Sequence, residues 1–134
     1  MRLWHEKLLS LLPRQQLLGQ HRECCALRGN SWGKPHSVVN YVFCYSQERL
    51  WAYHMRVMCE MQRRGYNPDS RWLDPGYRGK SAPRFEPDSK EIKRLIDEDN
   101  EASLVYPEHS KVYLSECLAN LRCKGIIILS NWDE

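Results

Sequence analysis

Long apolar runs are absent from this 134-residue sequence. No stretch approaches the roughly 20 consecutive apolar residues of a membrane-spanning helix, so we expect no membrane partner. Low-complexity tracts and Gly/Ser-rich linkers are also missing, which favours a single folded domain over a disordered chain. The short apolar pieces at the N-terminus are interrupted by Glu6 and Lys7, and no small-residue cleavage site follows them. We therefore predict no signal peptide and a cytoplasmic location.

The spacings typical of zinc sites are absent too, although the chain has six cysteines and five histidines. The cysteines, at positions 24, 25, 44, 59, 117 and 123, form no C-x-x-C pair, and the histidines form no H-x-x-x-H pair. Without an export signal, we interpret the cysteines as reduced. We expect no metal and no cofactor, and a ligand set assembled from distant positions is the alternative.

Charge is distributed unevenly along the chain, although the net charge is only +3. Residues 1–84 carry 14 Lys and Arg against 6 Asp and Glu, a net charge of +8, and the remainder carries 6 against 11, a net charge of −5. The basic part is a candidate surface for a polyanion. The alternative is that the two parts neutralise each other in the folded protein.

Two long helices are predicted in the first half of the chain. Pro13 fits the first turn of a helix that ends at Gly29, a suitable C-terminal cap. Ser46 is a good N-cap for a second helix that ends at Gly65. Its apolar residues at helical spacing are Leu50, Tyr53, Val57, Met58 and Met61. Between the helices, the apolar segment "SVVNYVFCY" (37–45) predicts either a short strand or a buried extended lead-in.

The second half predicts a long loop followed by two shorter helices. Residues 67–87 are rich in turn formers, and loops of this length are usually functional or mobile. Asp88 with Glu91 makes a capping-box-like start for a short helix, and a last helix begins near Pro107. The apolar tail "IIILSNW" (126–132) is expected to pack on the core as an extended segment. We therefore predict one compact all-α domain with three main helices and long connecting loops, and a four-helix arrangement is the near alternative.

The stretch "LLGQHRECC" (17–25) gives the first helix two different faces. Its leucines and cysteines share one face, which we assign to the core. The other face carries four long polar or charged side chains and two small residues. These residues are Gln15, Gln16, Gly19, Arg22, Glu23 and Ala26. Glycine in a helix interior lowers helix stability by roughly 1 kcal/mol relative to alanine, so we expect a packing or functional reason for Gly19. Close approach of a bulky partner is one interpretation, and an ordinary solvated face is the other.

Three blocks of the sequence keep the order and spacing of one known family. They are "MRLW" with a helix ending in "HRE" (1–28), "ERLWAYHMRVMCEMQRRGYN" (within 40–67) and "YPEHSKVYLSECLANLRCKG" (within 105–125). They resemble the pyrimidine-dimer DNA glycosylase and abasic-site lyase family, the phage endonuclease V type. The resemblance implies base excision repair of damaged double-stranded DNA without a metal or cofactor. We expect the protein to act as a monomer.

The resemblance also implies a mechanism and its residues. In that family a free α-amine attacks C1′ of the damaged nucleotide, expels the base and forms an imine, which leads to strand scission by β-elimination. Glu23 matches the glutamate that stabilises the sugar cation, and Arg22 matches an arginine that meets the phosphate backbone. Family members remove the initiator Met before a small second residue. Arg2 is large, so the nucleophile is the Met1 amine, or that of Arg2 if Met1 is removed; loss of lyase activity is the third alternative.

Three further positions depart from the family pattern. Gln16 stands where the family has a histidine, which keeps a hydrogen-bonding group and removes a titratable one. Ala26 replaces an arginine, for which Arg28 is a partial substitute. The aromatic, basic C-terminal tail of the family is replaced by "SNWDE".

Basic and polar residues before position 85 are the predicted DNA contacts. They are Arg2, Gln15, Gln16, Arg28, Lys34, Arg71, Arg78, Lys80 and Arg84. Phosphate contacts of this kind make affinity fall steeply with salt. Trp72, Tyr77 and Phe85 are candidates to fill the gap that a flipped base leaves in the stack, and the alternative is that they anchor their loop to the core.

The sequence is compatible with two other functions. The first is a helical DNA-binding module that keeps the fold and has lost the chemistry, which the residues at positions 2 and 26 favour. It predicts salt-dependent DNA binding that does not need Glu23. The second is a metal-binding regulator that uses scattered cysteines and histidines.

Overall fold

The computed structural model describes residues 2–98 and 104–129. Within these ranges the chain forms helices and no strand: α1 (Arg14–Arg28), α2 (Gln47–Arg63), α3 (Ser89–Asp97) and α4 (Lys111–Cys123). The connections contain three short 3-10 turns: Glu6–Leu8, Asn40–Cys44 and Ser70–Leu73. The predicted all-α architecture is confirmed, with the nine-residue α3 as the short fourth helix. In the part of the chain so described, no helix is long and apolar enough to cross a membrane.

The first three helices begin where local sequence signals place them. Pro13 precedes α1 and Gly29 follows it, as predicted. The Ser46 hydroxyl accepts a hydrogen bond from the first turn of α2. The Asp88 carboxylate accepts the N–H groups of Lys90 and Glu91 at the start of α3. Caps of this kind satisfy backbone donors that a helix leaves unpaired at its N-terminus, so these boundaries follow from short-range chemistry.

One core joins the helices to the N-terminal segment. α1 packs against α2, and α2 packs against α3. The side chains almost completely removed from solvent include Leu3, Leu8, Leu12, Leu17, Leu27, Leu50, Tyr53, Val57, Cys117 and Leu121. Burial of a large apolar side chain contributes about 1.5–3 kcal/mol, so the leucines before α1 fix that segment against the helices.

The prediction for residues 37–45 is wrong. The segment forms the 3-10 turn Asn40–Cys44 in place of a strand or an extended lead-in. Val39 and Val42 are both buried, three residues apart. That is the spacing at which side chains of a 3-10 turn share a face, so a turn buries the apolar residues without a partner strand.

The last helix begins later than predicted, at Lys111 and not near Pro107. Ser110 caps it, and the residues before the cap turn back on themselves. In this turn the His109 N–H donates to the Tyr106 carbonyl at 3.0 Å, and both rings are buried. The helix starts only after these two aromatic side chains have entered the core.

The described part of the tail agrees with the expected extended packing. Ile126 and Ile128 pack on the core, whereas Ile127 and Leu129 are exposed. Alternation of this kind is typical of an extended segment with one buried face. Residues 130–132 of the predicted tail lie outside the described residues.

Candidate active site

The backbone of residues 2–4 is held against α1 by the Gln20 side chain. The Trp4 N–H donates to Gln20 Oε1 at 2.6 Å, and Gln20 Nε2 donates to the Arg2 carbonyl at 3.0 Å. Gln20 is 1% exposed, so water does not compete for these bonds. A single amide thus fixes the chain at two positions.

Two tyrosines from other helices hold the same segment. The Tyr53 hydroxyl, from α2, donates to the Trp4 carbonyl at 2.6 Å. The Tyr113 hydroxyl, from α4, donates to the Leu3 carbonyl. We call the side chains of Gln20, Tyr53 and Tyr113 the N-terminal clamp. It draws on three helices, so the position of residues 2–4 depends on the assembled fold.

The N-terminal clamp places the nitrogen of residue 2 beside the predicted catalytic carboxylate. The Arg2 N–H lies 3.4 Å from Glu23 Oε2, and Gln20 Nε2 donates to the same oxygen at 3.2 Å. Glu23 is half-buried on α1. Met1, the other candidate for the amine, lies outside the described residues. An anionic group therefore stands within contact distance of the second residue's nitrogen, where it is suited to stabilise a nearby cation.

The polar face of α1 remains open beside Glu23. Arg22 is exposed, and no hydrogen bond or ion pair holds its guanidinium among residues 2–98 and 104–129. Gln15 is exposed and Gln16 is half-buried. A methyl group at Gly19 would approach only Arg22 Nη2, at 3.7 Å. Packing within the described chain therefore gives no reason for a glycine at this position.

Arg28 does not belong to this surface, and its predicted role as a DNA contact is corrected. It is 2% exposed, and its guanidinium donates to the backbone carbonyls of Trp72, Asp74 and Tyr77 at 2.8, 2.8 and 3.1 Å. Burial lowers the pKa of Arg28 to about 10, so the group stays charged at neutral pH. The physical reason for the correction is that the 67–87 loop folds back over the end of α1 and uses this cation.

Arg78 completes the attachment of that loop. Its guanidinium donates to the carbonyls of Arg28 and Gly29 at 3.0 and 3.1 Å, at the C-terminal end of α1. The approach is so close that a Cβ at Gly29 would lie 2.8 Å from the Arg78 carbonyl. Arg28 and Arg78 thus form a reciprocal clasp, and Arg78 already has acceptors within the protein.

The other predicted loop cations differ in how far they are neutralised. Arg71 pairs with Asp69 at 2.6 Å. Arg84 pairs with Asp74 at 3.2 Å and with Glu86 at 3.1 Å. Lys34 and Lys80 are exposed and have no ion pair in the described ranges. Arg22, Lys34 and Lys80 therefore have no carboxylate partner among the described residues. The same is true of the Arg2 guanidinium, which lies 6.0 Å from the Trp4 ring and 5.7 Å from the Tyr113 ring.

The three aromatic residues predicted to enter the DNA stack, Trp72, Tyr77 and Phe85, differ in their contacts with the protein. Trp72 lies edge-on to Tyr77 with ring centroids 4.8 Å apart, and the Arg28 guanidinium lies 5.0 Å from its ring. The Arg71 guanidinium lies 5.4 Å from the Tyr77 ring. Phe85 is half-buried. For Trp72 these contacts favour the alternative role, an anchor of the loop on the end of α1.

A chain of hydrogen bonds between α1 and α2 was not predicted from the sequence. Arg28 Nη1 lies 2.9 Å from His54 Nδ1, His54 Nε2 lies 2.8 Å from His21 Nδ1, and His21 Nε2 lies 3.8 Å from Cys25 Sγ. Arginine only donates, so His54 must accept at Nδ1 and carry its proton on Nε2. His21 then accepts at Nδ1 and donates from Nε2. The buried arginine therefore fixes both tautomers.

Three of these residues, His21, Cys25 and His54, form a group that could hold a metal ion. Ligand atoms of His21, Cys25 and His54 lie within 4.8 Å of one another. Metal bound at His54 Nε2 would force the proton onto Nδ1, where it would face the Arg28 donor. Burial raises the pKa of the Cys25 thiol to about 12 and lowers the pKa of His54 well below its usual range. A buried cation and an unionised thiol disfavour a zinc site here.

Sequence reasoning placed Glu23 and Arg22 but missed Gln20 and the two clamp tyrosines. Gln20 and Glu23 are three residues apart, a spacing that puts them on neighbouring positions of one helix. That spacing is the one signal that could have linked them. Tyr53 and Tyr113 are distant from residues 2–4 in the chain, so only the fold reveals them.

Comparison with known protein families matches residues 1–74, more than half of the 134-residue chain, to the pyrimidine dimer DNA glycosylase family. The matched range contains the N-terminal segment, α1 and α2, and thus both Arg2 and Glu23. No curated protein and no solved structure matches the chain. The family match covers the part of the molecule from which the candidate site is built. The chain belongs to the pyrimidine dimer DNA glycosylase family.

Proposed function

We propose that this protein is a DNA repair N-glycosylase with associated abasic-site lyase activity. The observation that carries the proposal is the 3.4 Å distance between the nitrogen of Arg2 and Glu23 Oε2. A nitrogen nucleophile and a carboxylate that act on the same sugar must lie within a few ångströms of each other, and this distance meets that condition. The family match supports the substrate class, damaged DNA.

The proposed nucleophile is the N-terminal α-amine. Its unperturbed pKa is about 7.7–8.0, so a useful fraction is neutral at pH 7, unlike a lysine amine. The amine nitrogen forms a bond to C1′ as the glycosidic bond breaks, and the base leaves with the bonding electrons and gains a proton. The nitrogen then loses a proton, the C1′–O4′ bond breaks, and O4′ takes up a proton, which opens the sugar ring and gives the imine. Loss of a proton from C2′ then permits β-elimination of the 3′ phosphate. If Met1 is removed, the amine is the Arg2 nitrogen beside Glu23. If Met1 is retained, the amine belongs to the residue before Arg2.

Glu23 has two proposed roles. Its carboxylate stabilises the positive charge that develops on the sugar as the base departs, and a half-buried position strengthens that interaction relative to one in water. In the elimination step it assists proton transfer. Both roles require the ionised carboxylate to lie next to the reacting sugar, where residue 2 also lies.

The open face of α1 is the proposed site of DNA contact. Arg22 is exposed beside Glu23, and a guanidinium holds a phosphate through two parallel hydrogen bonds. Gln15 and Gln16 lie along the same helix. Lys34 and Lys80 are proposed as additional phosphate contacts, since neither is neutralised within the described ranges.

Borohydride trapping tests the proposal. The purified protein, with its N-terminus established by intact mass, is incubated with duplexes that contain a pyrimidine dimer or an abasic site and is then reduced. A covalent protein–DNA complex is expected, and Glu23→Gln should abolish it. Glu98→Gln, in which the same change is made to an exposed partner of Arg94, should leave trapping intact.

Two outcomes would contradict the enzyme assignment. One is the absence of both trapping and base release on every lesion tested. The other is salt-dependent DNA binding that Glu23→Gln leaves unchanged, without any covalent complex. The second result would establish the non-catalytic DNA-binding module in place of the glycosylase.

A further inference from the structure

The Gln20 amide has a partner at each of its hydrogen-bonding positions. Oε1 accepts from the Trp4 N–H at 2.6 Å and lies 3.0 Å from the Tyr53 hydroxyl, while Nε2 donates to the Arg2 carbonyl at 3.0 Å and to Glu23 Oε2 at 3.2 Å. A primary amide offers two N–H donors and an oxygen with two lone pairs. Both N–H donors of the side chain are therefore used, while its oxygen accepts from Trp4 and shares the one Tyr53 proton with the Trp4 carbonyl.

The two ends of this amide hold different kinds of group. Oε1 faces a backbone N–H and a hydroxyl inside the core. Nε2 instead bridges the Arg2 carbonyl and the Glu23 carboxylate, two acceptors that repel each other unless a donor lies between them. Leu3 and Trp4 are 0% and 7% exposed, so the burial of their side chains already fixes residues 3 and 4 in the core. The Nε2 end thus sets how the carboxylate lies relative to residue 2.

We infer that Gln20 is a positioning residue for the glycosylase and lyase reaction, through its Nε2 contacts with Glu23 and the Arg2 carbonyl. Tyr53 and Tyr113 support it by holding the carbonyls of residues 4 and 3. This inference rests on the proposed function. Attack at C1′ needs the amine and the carboxylate to meet one sugar, and a misplacement of about 1 Å costs about 100-fold in rate.

Gln20→Glu tests the inference with a change of a single group. The substituted side chain keeps an acceptor for Trp4 and Tyr53, loses the donor to Arg2 and Glu23, and places a second carboxylate beside Glu23. Tyr113→Phe is the second variant, because it removes a clamp hydroxyl and leaves the charge unchanged. Tyr45→Phe is the matched control, since that hydroxyl is bound to Glu108, away from residues 2–4.

The measurement is single-turnover trapping on an abasic duplex at saturating protein, with the Kd for the same duplex measured separately. Rates are expressed per folded molecule. We expect about a 100-fold lower rate for Gln20→Glu and a loss of about 10-fold for Tyr113→Phe, with an unchanged Kd. Tyr45→Phe should match the wild type.

The pH dependence of the trapping rate distinguishes positioning from a loss of folding. The rate rises with pH as the amine loses its proton, and a carboxylate nearby favours the ammonium form. Loosening the clamp in Tyr113→Phe should therefore move the midpoint of the profile to lower pH, whereas Tyr45→Phe should not. Gln20→Glu adds a second carboxylate beside residue 2 and should move the midpoint to higher pH. Wild-type rates and midpoints in both clamp variants would overturn the inference and leave the proposed function intact. A wild-type protein that traps nothing would overturn both.

Discussion

Arg22 and Arg28 lie on the same helix, yet their environments are opposite. Arg22 is exposed beside Glu23, and Arg28 is buried under the 67–87 loop. The guanidinium of Arg28 satisfies three backbone carbonyls and fixes the tautomer of His54. One arginine is thus available for a ligand, while the other connects two distant parts of the chain.

Substitution of these two arginines should have opposite effects. Arg28→Met is expected to lower the free energy of unfolding by about 3 kcal/mol or more, because several buried acceptors lose their donor. Arg22→Met should change stability by less than about 0.5 kcal/mol and should weaken DNA binding. Urea denaturation and a binding titration measure the two effects. A loss of stability in Arg28→Met of less than about 0.5 kcal/mol, as expected for an ordinary surface substitution, would show that Arg28 is not a structural cation.

At the scale of elements, α1 contains one glycine and ends at another, and their roles differ. A side chain at Gly19 would enter open space next to Arg22, whereas a side chain at Gly29 would collide with the Arg78 carbonyl. Gly29 is needed for the close approach of the loop to the helix end. The open face at Gly19 leaves room for a partner outside the chain.

Alanine substitutions at the two positions test this difference. Gly19→Ala should stabilise the protein by up to about 1 kcal/mol, because alanine is the better helix former. It should also weaken binding to damaged duplex, since the methyl group occupies the space proposed for DNA. Gly29→Ala should destabilise the protein. Thermal denaturation and a DNA titration check both, and unchanged DNA affinity in Gly19→Ala would remove the functional reason for that glycine.

The predictable elements are those whose signals are local. The ends of α1 and α2 follow from Pro13, Gly29 and Ser46. Helical periodicity separates Glu23 from the leucines and cysteines of α1, but it did not reveal that Gln20 is buried beside Glu23, which places Glu23 at the edge of the core. Residues 37–45 and the start of α4 could not be predicted, because the burial of their apolar and aromatic residues depends on tertiary packing. Burial of Arg28 was equally hidden, since its acceptors lie in a loop more than 40 residues away.

At the scale of the whole molecule, buried histidines tie stability to pH. His54 and His109 are 0% exposed. Burial, with a contribution from His5, lowers the pKa of His109 to about 3, and burial, Arg28 and His21 lower that of His54. His109 Nε2 is 2.8 Å from the Tyr41 hydroxyl, and its Nδ1 has no hydrogen-bond partner in the described ranges. A proton added to this ring would bring charge into the core.

Acid should therefore destabilise the protein well above the pH at which carboxylates titrate. The unfolded chain binds protons at these histidines near pH 6.5 and the folded protein does not, so stability is complete above that pH and falls towards pH 3. Each such histidine contributes about 1.4 kcal/mol per pH unit. In urea denaturation between pH 7.5 and 4.5, His109→Gln should flatten this dependence. His36→Gln, at an exposed position, should not.

The N-terminal clamp has a practical consequence for preparing the protein. Residues 2–4 are bound through their backbone, so an affinity tag fused to the N-terminus would leave the clamp and the fold intact. The tag would nevertheless convert the proposed reactive amine into a peptide amide, which is not a nucleophile. Such a preparation should be well folded, should bind DNA and should be inert in trapping. Activity measurements therefore require a tag at the other end of the chain.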